Sequence, residues 1–284
     1  MAQWKQYSGV WTRQAQMQAA GAQNWPSDNL DAVDYLVVAG GGGGGSNNNG
    51  GGGGAGGYLT GSLAISKGTT YTVTVGGGGN VSNGSASSFS SITATGGGRG
   101  GNSFGNGNSG GSGGGSGAFA PRTGGGGVSG QGNKGGDTVG DTPGYPTGGG
   151  GGAGAAGTNG GQTSTTYGVG GIGLASSFSG SSVIYASGGG GGTNDPYATP
   201  GGSFTAGTGC GSGLVATSGS ANYGDGGGGG ASFNGTPGQG GSGIVIIRYR
   251  AIYPSAASTT GSPDITISGG YRIYKFTGSG SITF

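Results

Sequence analysis

Hydrophobic positions along this chain fall into short, widely separated groups. Val33-Asp-Tyr-Leu-Val-Val-Ala39 and Ile244-Val-Ile-Ile-Arg-Tyr249 are nearly continuous apolar runs, the signature of strands buried on both faces. Tyr71-Thr-Val-Thr-Val75 alternates with period two, and Ser87–Ala94 and Ser182–Ala186 read as further short strands. Near the end, Asp264–Ile267, Tyr271–Phe276 and Ser281–Phe284 predict three strands joined by the tight turns Ser268–Gly270 and Thr277–Gly280, a small β meander. Only one stretch reads as a helix, Trp11–Ala20, rich in helix formers and stopped by Gly21.

Between the apolar groups the chain is largely glycine: 87 of 284 residues. The glycines come in runs such as Gly40–Gly45 and Gly226–Gly230, with only 9 prolines, so the strict third-residue repeat of collagen is excluded. Little apolar mass usually marks a disordered chain, but disorder also calls for high net charge, and here it is +2. A folded chain of this composition must draw its stability from backbone hydrogen bonding and close backbone packing. Polyglycine provides both as a left-handed helix of three residues per turn whose N–H and C=O groups point outward to neighbouring helices. Glycine runs begin directly after several predicted strands, at Gly40, Gly76, Gly96 and Gly188. The expected fold is mainly β with polyglycine-II helices: a layered glycine-rich block over residues 30–249, preceded by an N-terminal segment, 1–29, with its short helix, and followed by the β meander, 250–284.

The chemical inventory argues against catalysis. There is no His, and all 8 acidic residues are Asp, which removes the commonest general bases and metal ligand. Cys210 has no partner cysteine and reads as a small space-filling residue. The strand leading into Gly40–Gly45 matches the spacing G-x-G-x-x-G, but no helix can start at Ser46-Asn-Asn-Asn49 and no acidic residue follows at the required distance. Asp137 and Asp141 read as turn caps rather than calcium ligands. Gly97-Gly-Arg-Gly-Gly101 is a single copy of an element that nucleic-acid-binding tails repeat, in a chain with no basic footprint. No cofactor, metal or nucleic acid is expected. No stretch reaches the ~20 apolar residues of a membrane span, and the first residues carry no apolar signal-peptide run.

Binding remains. Trp4, Trp11 and Trp25, with Met17, lie in residues 1–29 and suit docking onto a protein partner; a lid on the chain's own fold is the alternative. Aromatic residues also punctuate the stretches between glycine runs. Phe119 and Arg122, Tyr145, Tyr197 and Tyr223 mark loops that would gather at the ends of stacked rods and face a receptor; rings shielding the ends of the block are the alternative.

Four segments carry a resemblance: Tyr35-Leu-Val-Val-Ala-Gly40 running to Gly45, Gly50–Tyr58, Tyr71–Gly77, and Gly240-Gly-Ser-Gly-Ile-Val-Ile-Ile-Arg-Tyr249. Together they resemble the glycine-rich domain of bacteriophage tail and appendage proteins, and the last residues are similar to the small β module that often follows it. The T-even phage tip adhesins are more distantly similar in style, with an attachment segment followed by polyglycine helices and variable receptor loops. The resemblance implies a virion tail-fibre or appendage protein, made in the host cytoplasm and placed on the particle. Its partners would be other virion proteins, a host-surface receptor and further copies of itself. A capsid decoration protein without a receptor, and an ice-binding polyglycine bundle, are the alternatives.

Overall fold

The computed structural model describes residues 30–46, 49–141, 143–161, 166–231 and 235–284. The expected helix Trp11–Ala20, and with it Trp4, Trp11, Met17 and Trp25, lies outside the described residues. Those described are mainly β, contain no helix and form several antiparallel sheets.

The described residues form twelve strands. The first sheet holds β1 (Ala32–Val38), β2 (Tyr58–Ala64), β8 (Ile244–Arg250), β10 (Asp264–Ser268) and β11 (Tyr271–Phe276) in the order β10-β11-β8-β1-β2. The second holds β3 (Thr70–Thr74), β4 (Ser87–Phe89), β5 (Ile92–Ala94), β9 (Ser258–Thr260) and β12 (Gly280–Thr283) in the order β5-β4-β3-β12-β9. A hairpin of β6 (Leu174–Ser176) and β7 (Val183–Tyr185) stands apart. The two predicted apolar runs, β1 and β8, pair antiparallel at the centre of the first sheet, with Leu36 opposite Ile246.

Both faces of that pair are covered, which is why neither run alternates. One face carries Val33, Val37, Val245, Ile247, Tyr274 and Phe276 against Val73, Phe89, Ala94 and Ile282 of the second sheet. The other carries Leu36, Val38, Ile244, Ile246 and Ile273 against Tyr185 and Ala186, with Val183, Phe178 and Tyr223 at its margin. Arg248 leaves this face between two rings, its guanidinium carbon 3.8 Å from the Phe178 centroid and 4.4 Å from that of Tyr271, and pairs with Asp34 at 3.4 Å.

The C-terminal strands form where predicted but not as a meander. β10 and β11 make a hairpin that adds to β8, whereas β12 crosses to the second sheet between β3 and β9. The physical reason is apolar content: Ile273, Tyr274, Phe276 and Ile282 are buried in the two clusters, and a free-standing three-stranded sheet could not bury them.

Beyond the strands, glycine takes over the role of the core. Segment 50–57 is wholly buried, and its amides serve three neighbours in rotation. Gly50, Gly53 and Gly56 donate to Gly230, Gly227 and Gly224; Gly51, Gly54 and Gly57 donate to Gly101, Gly98 and Thr95; Gly52 and Ala55 donate to Gly148 and Gly151. Its carbonyls serve three more: Gly51, Gly54 and Gly57 accept from Gly45, Gly42 and Ala39, Gly50 and Gly53 from Gly192 and Gly189, Gly52 and Ala55 from Gly115 and Ser112. One segment thus lies amid six others, bonded to each in steps of three residues. Spacing this close leaves no room for a methyl: a Cβ at Gly53 would collide with the Gly42 carbonyl.

Candidate functional site

The glycine segments run back and forth between the sheets and a far end, so their connections fall into two groups. At the far end, the tip, loops are tied to one another by polar contacts. Ser46 donates from N–H and hydroxyl to Asn102 Oδ1 at 3.0 and 3.2 Å. Ala118 N–H donates to the Asn49 carbonyl, and Phe104 N–H to that of Ala118. Asn49 Nδ2 donates to the Tyr145 carbonyl at 3.3 Å, and Ala120 N–H to Asp141 Oδ1 at 2.6 Å. The Gly144 carbonyl accepts from Thr193 Oγ1 at 2.9 Å and from Asn194 N–H. Asp195 in turn accepts from the Tyr167 hydroxyl at 3.2 Å.

Three aromatic rings stand on this scaffold. Phe104 and Phe119 stack with centroids 4.4 Å apart and planes 11° apart, and Tyr145 leans on Phe119 at 5.2 Å. Phe104 is 64% exposed and Tyr145 38%. The backbone at all three is left-handed, with φ of 57°, 63° and 44°, as it is at Asn49, 67°. Asparagine accepts that region readily; bulky residues seldom do, and cost stability there. Beside the rings, Asn49 Oδ1 and Arg122 Nε are buried without hydrogen-bond partners among the described residues. Arg122 is held by its backbone to Thr138, leaving Nη1 on the Pro121 carbonyl at 3.0 Å. Tyr197, 65% exposed, follows Asp195 on the adjoining loop.

Phe119, Arg122, Tyr145 and Tyr197 therefore share one end of the block. Tyr223 does not. It precedes segment 224–230 at the opposite end, where its ring meets Tyr185 at 5.8 Å and packs on the Leu36/Ile244 cluster; this ring shields the sheet end. The sequence pattern does not single out Phe104, Asn49 or Asp195. Asn49 had a usable signal, an asparagine directly before a glycine run; the side-chain partnership with Tyr145 had none.

Other singled-out groups are structural. Cys210 is buried, its Sγ accepting from Ala231 N–H at 2.8 Å, and burial pushes the thiol pKa up, away from the reactive thiolate. Asp137 accepts from Gly124 N–H at 2.8 Å and pairs with Lys134 at 2.7 Å. Among the described residues no cluster of His, Cys, Asp or Glu could hold a metal ion, and no helix is long and apolar enough to cross a membrane. Segment 40–45, the false nucleotide signature, spends its amides on Ser85, Gly241, Gly54, Ser82, Gly238 and Gly51.

Residues 18–250 match the family described as the glycine-rich domain. The chain belongs to that family. No curated protein and no solved structure is significantly similar to it. Among the described residues, exposed rings, a guanidinium and unpartnered polar atoms converge at the tip. That arrangement suits non-covalent recognition by stacking and hydrogen bonding.

Proposed function

We propose that this protein is a non-enzymatic structural component of a bacteriophage particle, a tail fibre or tail-associated appendage, whose tip loops contact the host surface. The observation that carries the reading is the convergence of Phe104, Phe119, Arg122, Tyr145 and Tyr197 at one end of a block whose body is immobilised by backbone hydrogen bonds. Three loops each hold an aromatic residue in left-handed backbone, a cost that recognition explains and shielding does not, since Phe104 stays 64% exposed. Variable loops on a rigid scaffold are a general way of building recognition surfaces. The placement on a phage particle rests on the motif resemblance of the strand-to-glycine junctions. The glycine segments act as polyglycine-II helices, a reading supported by their three-residue bonding period. Residues 1–29 serve as the particle-docking segment: Leu30, where the described chain starts, packs on the two-sheet core at the end away from the tip.

The test is capture of the purified chain by intact host cells. Tyr145→Ala with Tyr197→Ala is expected to weaken capture at least ~10-fold, the cost of removing interface aromatics. Phe204→Ala, which alters a fully exposed ring at the sheet end, is expected to leave it unchanged. A folded, unmodified chain that binds no cells would replace this reading with that of a capsid decoration protein.

A further inference from the structure

We infer that β10 is a self-association edge, pairing antiparallel with β10 of a second copy of this chain about a two-fold axis at Thr266. β10 is the outermost strand of the first sheet, and Asp264, Ile265, Thr266 and Ile267 are all exposed. It joins β11 through a two-residue turn, Gly269–Gly270, with φ of 55° and 80°, in the register Ser268 opposite Tyr271. Two positive φ values in a two-residue loop define a type I′ hairpin, whose flanking pair is hydrogen-bonded. Pairs then alternate along the ladder: Ser268, Thr266 and Asp264 bond inward to β11, while Ile265 and Ile267 turn their N–H and C=O groups to the open edge. Neither isoleucine makes a backbone hydrogen bond to any other described segment.

A second β10 fits these vacant groups in one register. Ile265 lies opposite Ile267 of the partner and the reverse, giving four hydrogen bonds between chains, with Thr266 facing its own copy at the axis. The two isoleucines, 49% and 62% exposed, fall on one sheet face, so the four meet as an apolar group across the seam. Charge does not oppose the pairing. Asp264 is neutralised by Lys275 at 2.8 Å on its own chain and would face Ser268 of the partner. The usual guards of a free edge, a lysine, an internal proline or a bulge, are missing between Asp264 and Ser268. The occupant is another copy because the edge is its own complement, in hydrogen bonding, side chains and charge alike. A five-residue seam is a small interface, so association is weak and reversible.

Sedimentation of the full chain over a concentration series tests this. A monomer–dimer equilibrium is expected, with Ile267→Pro weakening it at least ~10-fold; that proline removes an outward N–H and spares the β11 ladder. Thr266→Cys supplies a second readout. Cα atoms of a non-hydrogen-bonded pair lie about 4.5 Å apart, within disulfide range, so mild oxidation should link the copies rapidly. Asp264→Cys, off the axis, should link slowly, and the buried Cys210 does not compete. A wild-type chain that stays monomeric at several hundred micromolar would overturn the inference. So would association unaffected by Ile267→Pro, or Thr266→Cys linking no faster than Asp264→Cys.

Discussion

Asn49 donates its side-chain amide to the main-chain carbonyl of Tyr145, 96 positions further along the chain, at 3.3 Å. This contact ties the turn between the first two glycine segments to the loop that presents a recognition ring. Asn49 also takes φ of 67°, a region that asparagine tolerates better than alanine. Asn49→Ala is therefore expected to destabilise the protein by about 1–2 kcal/mol in thermal or urea melts, through the lost bond and the backbone cost together. Limited proteolysis should then cut first near Tyr145.

Glycine substitutions should sort by position rather than by chemistry. At Gly53 a methyl meets backbone on the Gly42 side, and neither segment can move without breaking bonds to six neighbours. Gly53→Ala is expected to cost about 3 kcal/mol or more, beyond the usual overpacking range because backbone, not a side chain, must yield. Gly77→Ala meets nothing within 4 Å and should leave the melting temperature near that of the wild type.

Stability should depend on pH through Asp225. Its carboxyl is fully buried, and Ser187 N–H donates to Oδ1 at 2.8 Å. Burial raises its pKa from 3.8 to about 6. A raised folded-state pKa means that the folded protein holds a proton that the unfolded chain has released between those values. This contribution to stability is full below pH ~4 and is lost as pH rises through about 6, on the order of 3 kcal/mol in all. Asp225→Asn should remove this component and be the more stable protein at pH 7, as read from paired melts between pH 4 and 8.

The guanidinium of Arg248 lies between Phe178 and Tyr271, a site that a lysine cannot fill in the same way. Arg248→Lys is expected to cost about 1 kcal/mol in urea denaturation, and Phe178→Ala to reduce that cost, the Tyr271 ring and Asp34 keeping the rest.

Much of the architecture was legible in the sequence, because a strand buried on both faces must be apolar throughout. β1 and β8 were readable for that reason, and the C-terminal strands through their alternation. β2 was not: its Tyr58-Leu-Thr-Gly-Ser-Leu-Ala64 carries a glycine at its middle, and only the structure shows the Tyr35 ring laid over Gly61 from the opposite strand. β6 and β9, three residues each, are too short to show a period. The split of the C-terminal strands between two sheets depends on long-range pairing that local pattern does not encode. At the tip, composition named the loops with aromatic residues, but which loops share an end depends on how many segments lie between them. That count brings Phe119, Arg122, Tyr145 and Tyr197 together and sends Tyr223 to the other end.

Glycine backbone forms this protein's core and so holds the tip rigid. Native-state hydrogen exchange, read amide by amide, distinguishes this core from one made of the sheets alone. The amides of Gly51–Gly57 should exchange as slowly as those of Leu36 and Ile246 in the central strands, all being released only in global unfolding. Rapid exchange across Gly51–Gly57 while Leu36 and Ile246 stay protected would instead leave the two sheets as the core and the tip without a rigid base.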